Sequence, residues 1–134
     1  MKLSLLFSCL FFLLSCNSNT SSPTYEDTKQ TLLEKEKSTP TIFLEVTGTY
    51  RKNLIDQLVL EGTISNNATL ATYKDVVLNI TYYSKTQTEL GSEEKTVFDF
   101  FKPATKKDFK IKVSGYQETE SVGLDIISAT PTEQ

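Results

Sequence analysis

From Thr41 onward, apolar and polar residues alternate along the chain in six short runs. The period is two, the spacing at which side chains of a β-strand fall on one face. Polar, turn-rich stretches such as RKNLID, SNNAT and SKTQTELGSE separate the runs. A further short strand near Thr88 to Leu90 would bring the number to seven. Regularly spaced strands with polar turns predict an all-β antiparallel sandwich over residues 41–130, with a tail at 131–134.

The alternation also predicts which side chains face the core. The predicted inward residues are Ile42, Leu44, Val46, Leu58, Leu60, Gly62, Ile64, Val76, Leu78, Ile80, Tyr82, Phe98, Phe100, Phe109, Ile111, Val113, Val122, Leu124 and Ile126. By the same argument Tyr83 and Phe101 face outward, and exposed aromatic side chains are enriched where partners dock. Asn66, in the turn after the second run, is expected to bond the turn backbone.

The segment before the sandwich is polar. Its sizeable apolar groups are Tyr25, Leu32 and Leu33, too few to offset the entropy of ordering it. We therefore expect residues 16–40 to form a flexible tether. Thr24 and Asp27 have the Thr-x-x-acid spacing of a helix start, so a short helix over 25–37 is a further possibility.

The first residues have the pattern of an export signal. Lys2 precedes an apolar segment from Leu3 to Leu14, which is shorter than the roughly 20 residues a membrane span needs. Leu13-Leu14-Ser15-Cys16 resembles the bacterial lipobox, in which cleavage leaves a lipidated cysteine at the new N-terminus. We expect residues 1–15 to be the signal peptide and Cys16 the lipidation site. The alternative is a plain secretory signal or signal anchor with Cys16 incidental.

Cysteine usage favours the lipidated alternative. The chain has two cysteines, and cleavage before Cys16 would remove Cys9 and leave one unpaired thiol in an exported protein. A thioether to diacylglycerol accounts for that thiol, and the two or three acyl chains of a lipidated, N-acylated cysteine are enough for stable anchoring. The expected location is the bacterial cell envelope, at the outer membrane or cell surface rather than the cytoplasmic membrane.

Composition argues against several classes of function. The formal net charge of −3 disfavours a nucleic-acid partner, and the absence of histidine removes the commonest general base. No nucleophile has an adjacent base. The acidic pairs Glu93-Glu94 and Glu118-x-Glu120 lack the alternating ligands of a calcium loop, and we interpret them as solvated turns. The sequence thus predicts no enzymatic activity, no cofactor and no metal.

One basic run suggests a partner surface. Lys106, Lys107, Lys110 and Lys112 fall within KPATKKDFKIK, where Lys110 and Lys112 alternate with core residues. Such a stripe would suit anionic headgroups, a cell-wall polymer or an acidic partner. The alternative is that the lysines keep an edge strand soluble and prevent sheet-to-sheet pairing.

Residues 58–114 also resemble a known family. Gly62-x-Ile64-x-Asn66, Tyr73-x-x-Val76 and Pro103, six residues before Phe109, are similar to the FxLYD-type domain of small bacterial lipoproteins and, more distantly, to immunoglobulin- or fibronectin-like sandwiches of late embryogenesis abundant proteins. Ala104 stands where a glycine often follows the proline. The resemblance implies an immunoglobulin-like, exported accessory or interaction domain without catalytic residues.

Together these observations predict a membrane-anchored envelope lipoprotein whose sandwich is a non-catalytic binding or accessory module. The expected partners are the membrane, reached through the lipid, and an envelope protein or cell-wall polymer. The alternative function is a small-ligand carrier with an apolar cavity between the sheets. The sequence leaves the oligomeric state open.

Overall fold

The structure, a computed structural model, describes residues 22–55 and 57–133. The predicted signal peptide, with Leu13, Leu14 and Ser15, and the predicted lipidation site Cys16 lie outside these residues. The described chain begins with two helices and continues with six strands. Their bounds are α1 Tyr25–Ser38, α2 Pro40–Phe43, β1 Leu44–Lys52, β2 Leu58–Asn66, β3 Tyr73–Tyr83, β4 Glu89–Phe101, β5 Thr105–Val113 and β6 Ser121–Pro131.

The strands form two antiparallel sheets of three. Sheet A has the order β1-β2-β5 and sheet B the order β4-β3-β6, so β2 and β3 are the central strands. This confirms the predicted all-β antiparallel sandwich. The described residues form six strands rather than seven, because Glu89 and Leu90 begin the long strand β4 instead of a strand of their own.

The sandwich has two distinct ends. We call the end at which β1 and β3 begin the proximal end, and the end at which they finish the distal end. At the proximal end, Asn66 of β2 donates to the carbonyl of Phe101 in β4 and so ties the two sheets together. At the distal end, the Tyr50 hydroxyl of β1 donates to the Glu120 carbonyl just before β6.

Most of the predicted inward residues do form the core. Those buried between the sheets are Leu44, Leu58, Leu60, Ile64, Val76, Leu78, Ile80, Tyr82, Phe109 and Val113, and Val46, Ile111, Val122, Leu124 and Ile126 pack against them. Ile42 was predicted wrongly: it is exposed and belongs to α2. Proline is favoured in the first turn of a helix, so Pro40 starts α2 and the strand begins only at Leu44.

The predicted facing of β4 is also wrong. Phe98 and Phe100 are 81% and 59% exposed, whereas Phe101 is 1% exposed and fully in the core. Phe101 pairs with the buried Tyr73, which fixes the strand so that the other two rings point to solvent. Because side chains alternate, an assignment that is off by one residue exchanges the two faces of a strand.

The residues that carry the family resemblance have structural roles. A Cβ added to Gly62 would lie 2.2 Å from the carbonyl oxygen of Thr47, so β1 and β2 approach too closely there for a side chain. Ile64 and Tyr73 are completely buried. Ala104 has φ 54°, a left-handed conformation that glycine adopts without steric cost, so the chain keeps the glycine-type turn with an alanine in it.

Candidate functional site

Helix α1 is joined to the proximal end by one buried carboxylate, which we call the helix junction. Glu36 Oε1 accepts the Thr69 N–H at 2.7 Å, and Oε2 accepts the Leu70 and Ala71 N–H groups at 2.9 and 2.8 Å. The Tyr73 hydroxyl donates to the Glu36 carbonyl at 2.8 Å. Successive backbone N–H groups that converge in a loop make an anion-binding concavity, and here a residue of the same chain fills it.

The electrostatics of the junction favour a charged Glu36. Burial of the side chain, which is 1% exposed, acts to raise its pKa. The hydrogen bonds from the backbone of Thr69, Ala71 and Leu70 outweigh burial, so the pKa lies below its ordinary value. Burial, together with the nearby Glu36 charge, raises the pKa of Tyr73 to about 12. The carboxylate is thus ionised, and Tyr73 is a neutral donor, at neutral pH.

A second buried side chain shapes the loop that receives Glu36. Asn66 donates through Nδ2 to the carbonyls of Ala71 and Phe101, both at 2.9 Å, and its Oδ1 accepts the Ala68 N–H at 2.9 Å. This confirms the prediction that Asn66 bonds turn backbone. Since Ala71 also donates to Glu36, Asn66 holds one residue of the junction in place through its carbonyl.

Sequence reasoning missed the junction. The sequence predicted a flexible tether with a possible short helix over 25–37. The helix forms, with the Thr24 N–H donating to Asp27, and it contacts the sandwich through Leu33 and Glu36. These two residues are three apart and lie on one helical face. Leu33 was the signal available in the sequence. Glu36 gave none, because a glutamate within EKEK normally indicates a solvated helix and its partners here are backbone groups, which residue types do not identify.

The predicted lysine surface is divided in the structure. Lys106, Lys110 and Lys112 are exposed on the outer side of the edge strand β5. Lys110 pairs with Glu61 at 2.7 Å, and the same carboxylate pairs with Arg51 at 2.9 Å. Lys107 instead pairs with Asp99 of β4, across the open side between the sheets. Both the partner-surface and the edge-protection interpretations fit these positions.

The two predicted aromatic members do not join this surface. Phe101 is buried and cannot contact a partner, because the side chains of β4 that face outward are those of Phe98 and Phe100. Tyr83 is half-buried at the distal end of β3, opposite Glu89 and Ser121. It therefore lies in the other sheet from the lysines. The predicted set is not one continuous site.

The distal end presents apolar side chains that the prediction did not include. Leu54 and Ile55, at the tip of the turn between β1 and β2, are fully and 79% exposed, and we call them the distal tip. Asn53 Oδ1 accepts the N–H groups of Ile55 and Gln57, which orders the turn. Tyr116, 45% exposed, lines a nearby open depression of about 360 Å³.

A cluster of polar side chains links the strands near the distal end. Glu93 accepts hydrogen bonds from the Tyr82 hydroxyl and from the Ser114 N–H, and pairs with Lys95 at 3.0 Å. Burial alone would raise the pKa of Glu93, but these partners lower it overall. The Tyr82 and Tyr116 rings meet edge to face at 5.7 Å. Glu93 is therefore a structural residue in β4, which corrects its interpretation as part of a solvated turn.

Comparisons with protein-family models, with curated proteins and with solved structures found no match to this chain. The similarity to the FxLYD-type domain therefore stays a prediction from the residues. Within residues 22–55 and 57–133, no helix has the length and apolar character needed to cross a membrane. Across the same residues, no three histidine, cysteine or acidic side chains come together in a group that would suit a metal ion.

Proposed function

We propose that this chain is a lipid-anchored envelope protein whose sandwich is a non-catalytic binding module, attached to the membrane at its proximal end and free to bind at its distal end. The observation that carries the proposal is the helix junction. Glu36 attaches α1, the element that follows Cys16 in the sequence, to the proximal end. The end that presents the distal tip is then the end farthest from the anchor.

The distal tip suits a protein partner. Leu54 and Ile55 are adjacent, almost fully exposed and carried on an ordered turn, so their solvent contact costs free energy that a partner would recover. Tyr116 adds an aromatic surface beside them, and aromatic groups are enriched at interfaces. An apolar contact of this kind favours an envelope protein over a cell-wall polymer.

The interior of the sandwich favours binding at the surface over a small-ligand carrier. Tyr73, Tyr82 and Phe101 are each at most 1% exposed and occupy the space between the sheets. Ligand pockets usually enclose roughly 300–1,000 Å³. A depression of about 500 Å³ over Gly62 and Phe109 in sheet A, lined also by Glu61 and Lys110, has that size, but it is open to solvent.

Lipidation is tested by detergent-phase partitioning in a bacterial host, with the mature N-terminal peptide identified by mass. We expect wild type and Cys9→Ala to enter the detergent phase with an acylated Cys16, and Cys16→Ala to stay in the aqueous phase. A wild-type protein with a free Cys16 thiol in the aqueous phase would contradict the anchor.

Binding at the distal end is tested by crosslinking in intact cells. A photoreactive residue at Ile55 should yield a discrete protein adduct, and the same residue at Thr130, near the proximal end, should not. Leu54→Ser in the Ile55-labelled chain should remove the adduct. Equal adducts from both positions, or an adduct from Thr130 alone, would show that the distal tip is not the binding surface.

A further inference from the structure

Two phenylalanines form an unexplained apolar surface, which we call the aromatic patch. Phe98 and Phe100 are 81% and 59% exposed on the outer face of the edge strand β4. They lie close to the proximal end, three residues and one residue before the end of the strand at Phe101. At about 3.3 Å per residue both rings fall within about 10 Å of that end. Neither ring is needed for the core.

Two lysines without ion pairs flank the aromatic patch. Lys74 is directly opposite Phe100 in the register of β3 and β4, and the exposed Lys102 follows the strand. The ion pairs among the described residues engage other cations, namely Arg51, Lys95, Lys107 and Lys110. Asp75, in the bulge opposite Phe98 and Asp99, offsets one of the two charges. The patch therefore has a net positive surround although the chain is acidic overall.

The aromatic patch lies at the end of the sandwich to which α1 is attached. Asn66 links the loop of the helix junction to the Phe101 carbonyl, one residue beyond Phe100. The chain from Cys16 to Thr24 spans at most about 27 Å when extended, and α1 adds about 21 Å. A lipid at Cys16 would thus allow the patch to reach the bilayer.

We propose that the aromatic patch, with Lys74 and Lys102 beside it, rests on an anionic lipid surface. This inference builds on the proposed anchor at Cys16. Phenylalanine rings buried at the headgroup level and lysines paired with anionic headgroups are the two contributions by which a surface binds a membrane peripherally. A second attachment beside the lipid would fix which side of the sandwich faces the membrane, and would leave the distal tip exposed.

The test uses the full-length lipidated protein in vesicles of phosphatidylcholine with or without phosphatidylglycerol. A fluorophore at Thr130→Cys reports on the proximal end, because Thr130 is exposed and lies opposite Lys74 on β6. A fluorophore at the exposed Lys85→Cys reports on the distal end. Quenching by lipids with a nitroxide on the headgroup measures the approach of each position to the bilayer.

We expect strong quenching at Thr130 and weak quenching at Lys85 in vesicles that contain phosphatidylglycerol. The double variant Phe98→Ser/Phe100→Ser should lower the Thr130 signal at least about two-fold, and high salt should lower it as well. The matched control Leu54→Ser/Ile55→Ser removes two exposed apolar residues at the other end and should leave it unchanged. An unchanged thermal midpoint in both double variants will show that they fold.

Three results would overturn the inference. They are a Thr130 signal insensitive to the patch variant, a signal independent of lipid charge, and a signal that only the distal variant lowers. If Phe98→Ser/Phe100→Ser removes a crosslink to a protein but leaves the quenching at Thr130 unchanged, the patch is a surface that binds a protein and not a lipid.

The mass of the N-terminal peptide from the same preparation separates this inference from the proposed function. If Cys16 is not acylated, the anchor fails, and flotation with anionic vesicles becomes the deciding measurement. Flotation that Phe98→Ser/Phe100→Ser abolishes would support the patch without the anchor, whereas no flotation would reject both.

Discussion

At the scale of single residues, Glu36 is the side chain on which the attachment of α1 depends most. We expect Glu36→Gln to lower the free energy of unfolding by about 2–3 kcal/mol, because three backbone N–H groups lose a charged acceptor and the new amide NH₂ opposes one of them. Urea denaturation measures the change. Glu34→Gln, on the exposed side of the same helix, should change it by less than about 0.5 kcal/mol. Equal effects of the two substitutions would contradict the role of the junction.

The same residue predicts a pH dependence. The pKa of Glu36 is lower in the folded protein than its ordinary value of 4.5, so the unfolded chain takes up the proton first as the pH falls. The stabilisation is therefore complete above pH 4.5 and is lost as the pH falls through the folded pKa. Other carboxylates, such as Glu61 with its pKa lowered to about 2, titrate in both proteins. The difference in stability between wild type and Glu36→Gln should thus shrink below pH 4.5.

Gly62 is the residue at which the backbone leaves least room. Gly62→Ala would place a methyl group 2.2 Å from the Thr47 carbonyl oxygen and 2.9 Å from the Phe109 ring, so β1 or β5 must shift. We expect a loss of about 3 kcal/mol in thermal or urea unfolding. Gly123→Ala is the control, because its methyl group would lie 3.3 Å from its nearest neighbour, the Tyr83 ring, which can move. Comparable stability of the two variants would show that the strands separate easily at Gly62.

At the scale of elements, alternation was enough to find the strands wherever the inward face is continuously apolar. The central strands β2 and β3 have such faces, and every predicted inward residue on them except Gly62 is buried, although Val59 and Tyr73 are buried as well without having been predicted. Strand β4 differs because it is an edge strand. Its inward side includes Glu93 and Lys95, whereas its outer side carries Phe98 and Phe100. A prediction from hydrophobicity alone therefore assigned the wrong face of β4 to the core.

The candidate site was less predictable than the fold for a related reason. The contacts of Glu36 and Asn66 are with backbone groups brought together by the loop after β2, and a sequence does not show where a loop directs its N–H groups. Asn66 was predictable in kind, since asparagine commonly bonds turns. The exposure of Leu54 and Ile55 depends on a tight turn, so their hydrophobicity alone indicated nothing about solvent contact.

The facing of β4 leads to a direct prediction. Phe101→Ala should lower the free energy of unfolding by about 3–5 kcal/mol, because it empties a position in the core beside Tyr73. Phe100→Ala, the adjacent and chemically identical change, should cost less than about 1 kcal/mol because that ring is mostly solvated. Urea denaturation of the two variants under one set of conditions gives both values. The reverse order would restore the facing predicted from the sequence.

At the scale of the whole molecule, the two ends of the sandwich carry different features. The proximal end joins α1 and carries the aromatic patch, and the distal end presents Leu54, Ile55 and Tyr116. A flexible tether would leave the direction of the distal end to chance. An α1 helix fixed to the sandwich gives the chain one direction where it leaves the proximal end.

This difference between a flexible tether and a fixed helix can be measured as a distance. Spin labels at Thr28→Cys in α1 and Lys85→Cys at the distal end, both exposed sites, should give one narrow distance distribution in a background with Cys9 and Cys16 replaced by serine. Glu36→Gln should broaden it, because the contacts that remain, the Leu33 side chain and the Tyr73 bond to the residue 36 carbonyl, are too few to orient a 14-residue helix. Glu34→Gln should leave it narrow.

An unchanged far-ultraviolet spectrum will show that the sandwich persists in the Glu36 variant. A distribution that is broad already in the parent protein would mean that Glu36 does not fix the helix, and that the distal end has no preferred direction.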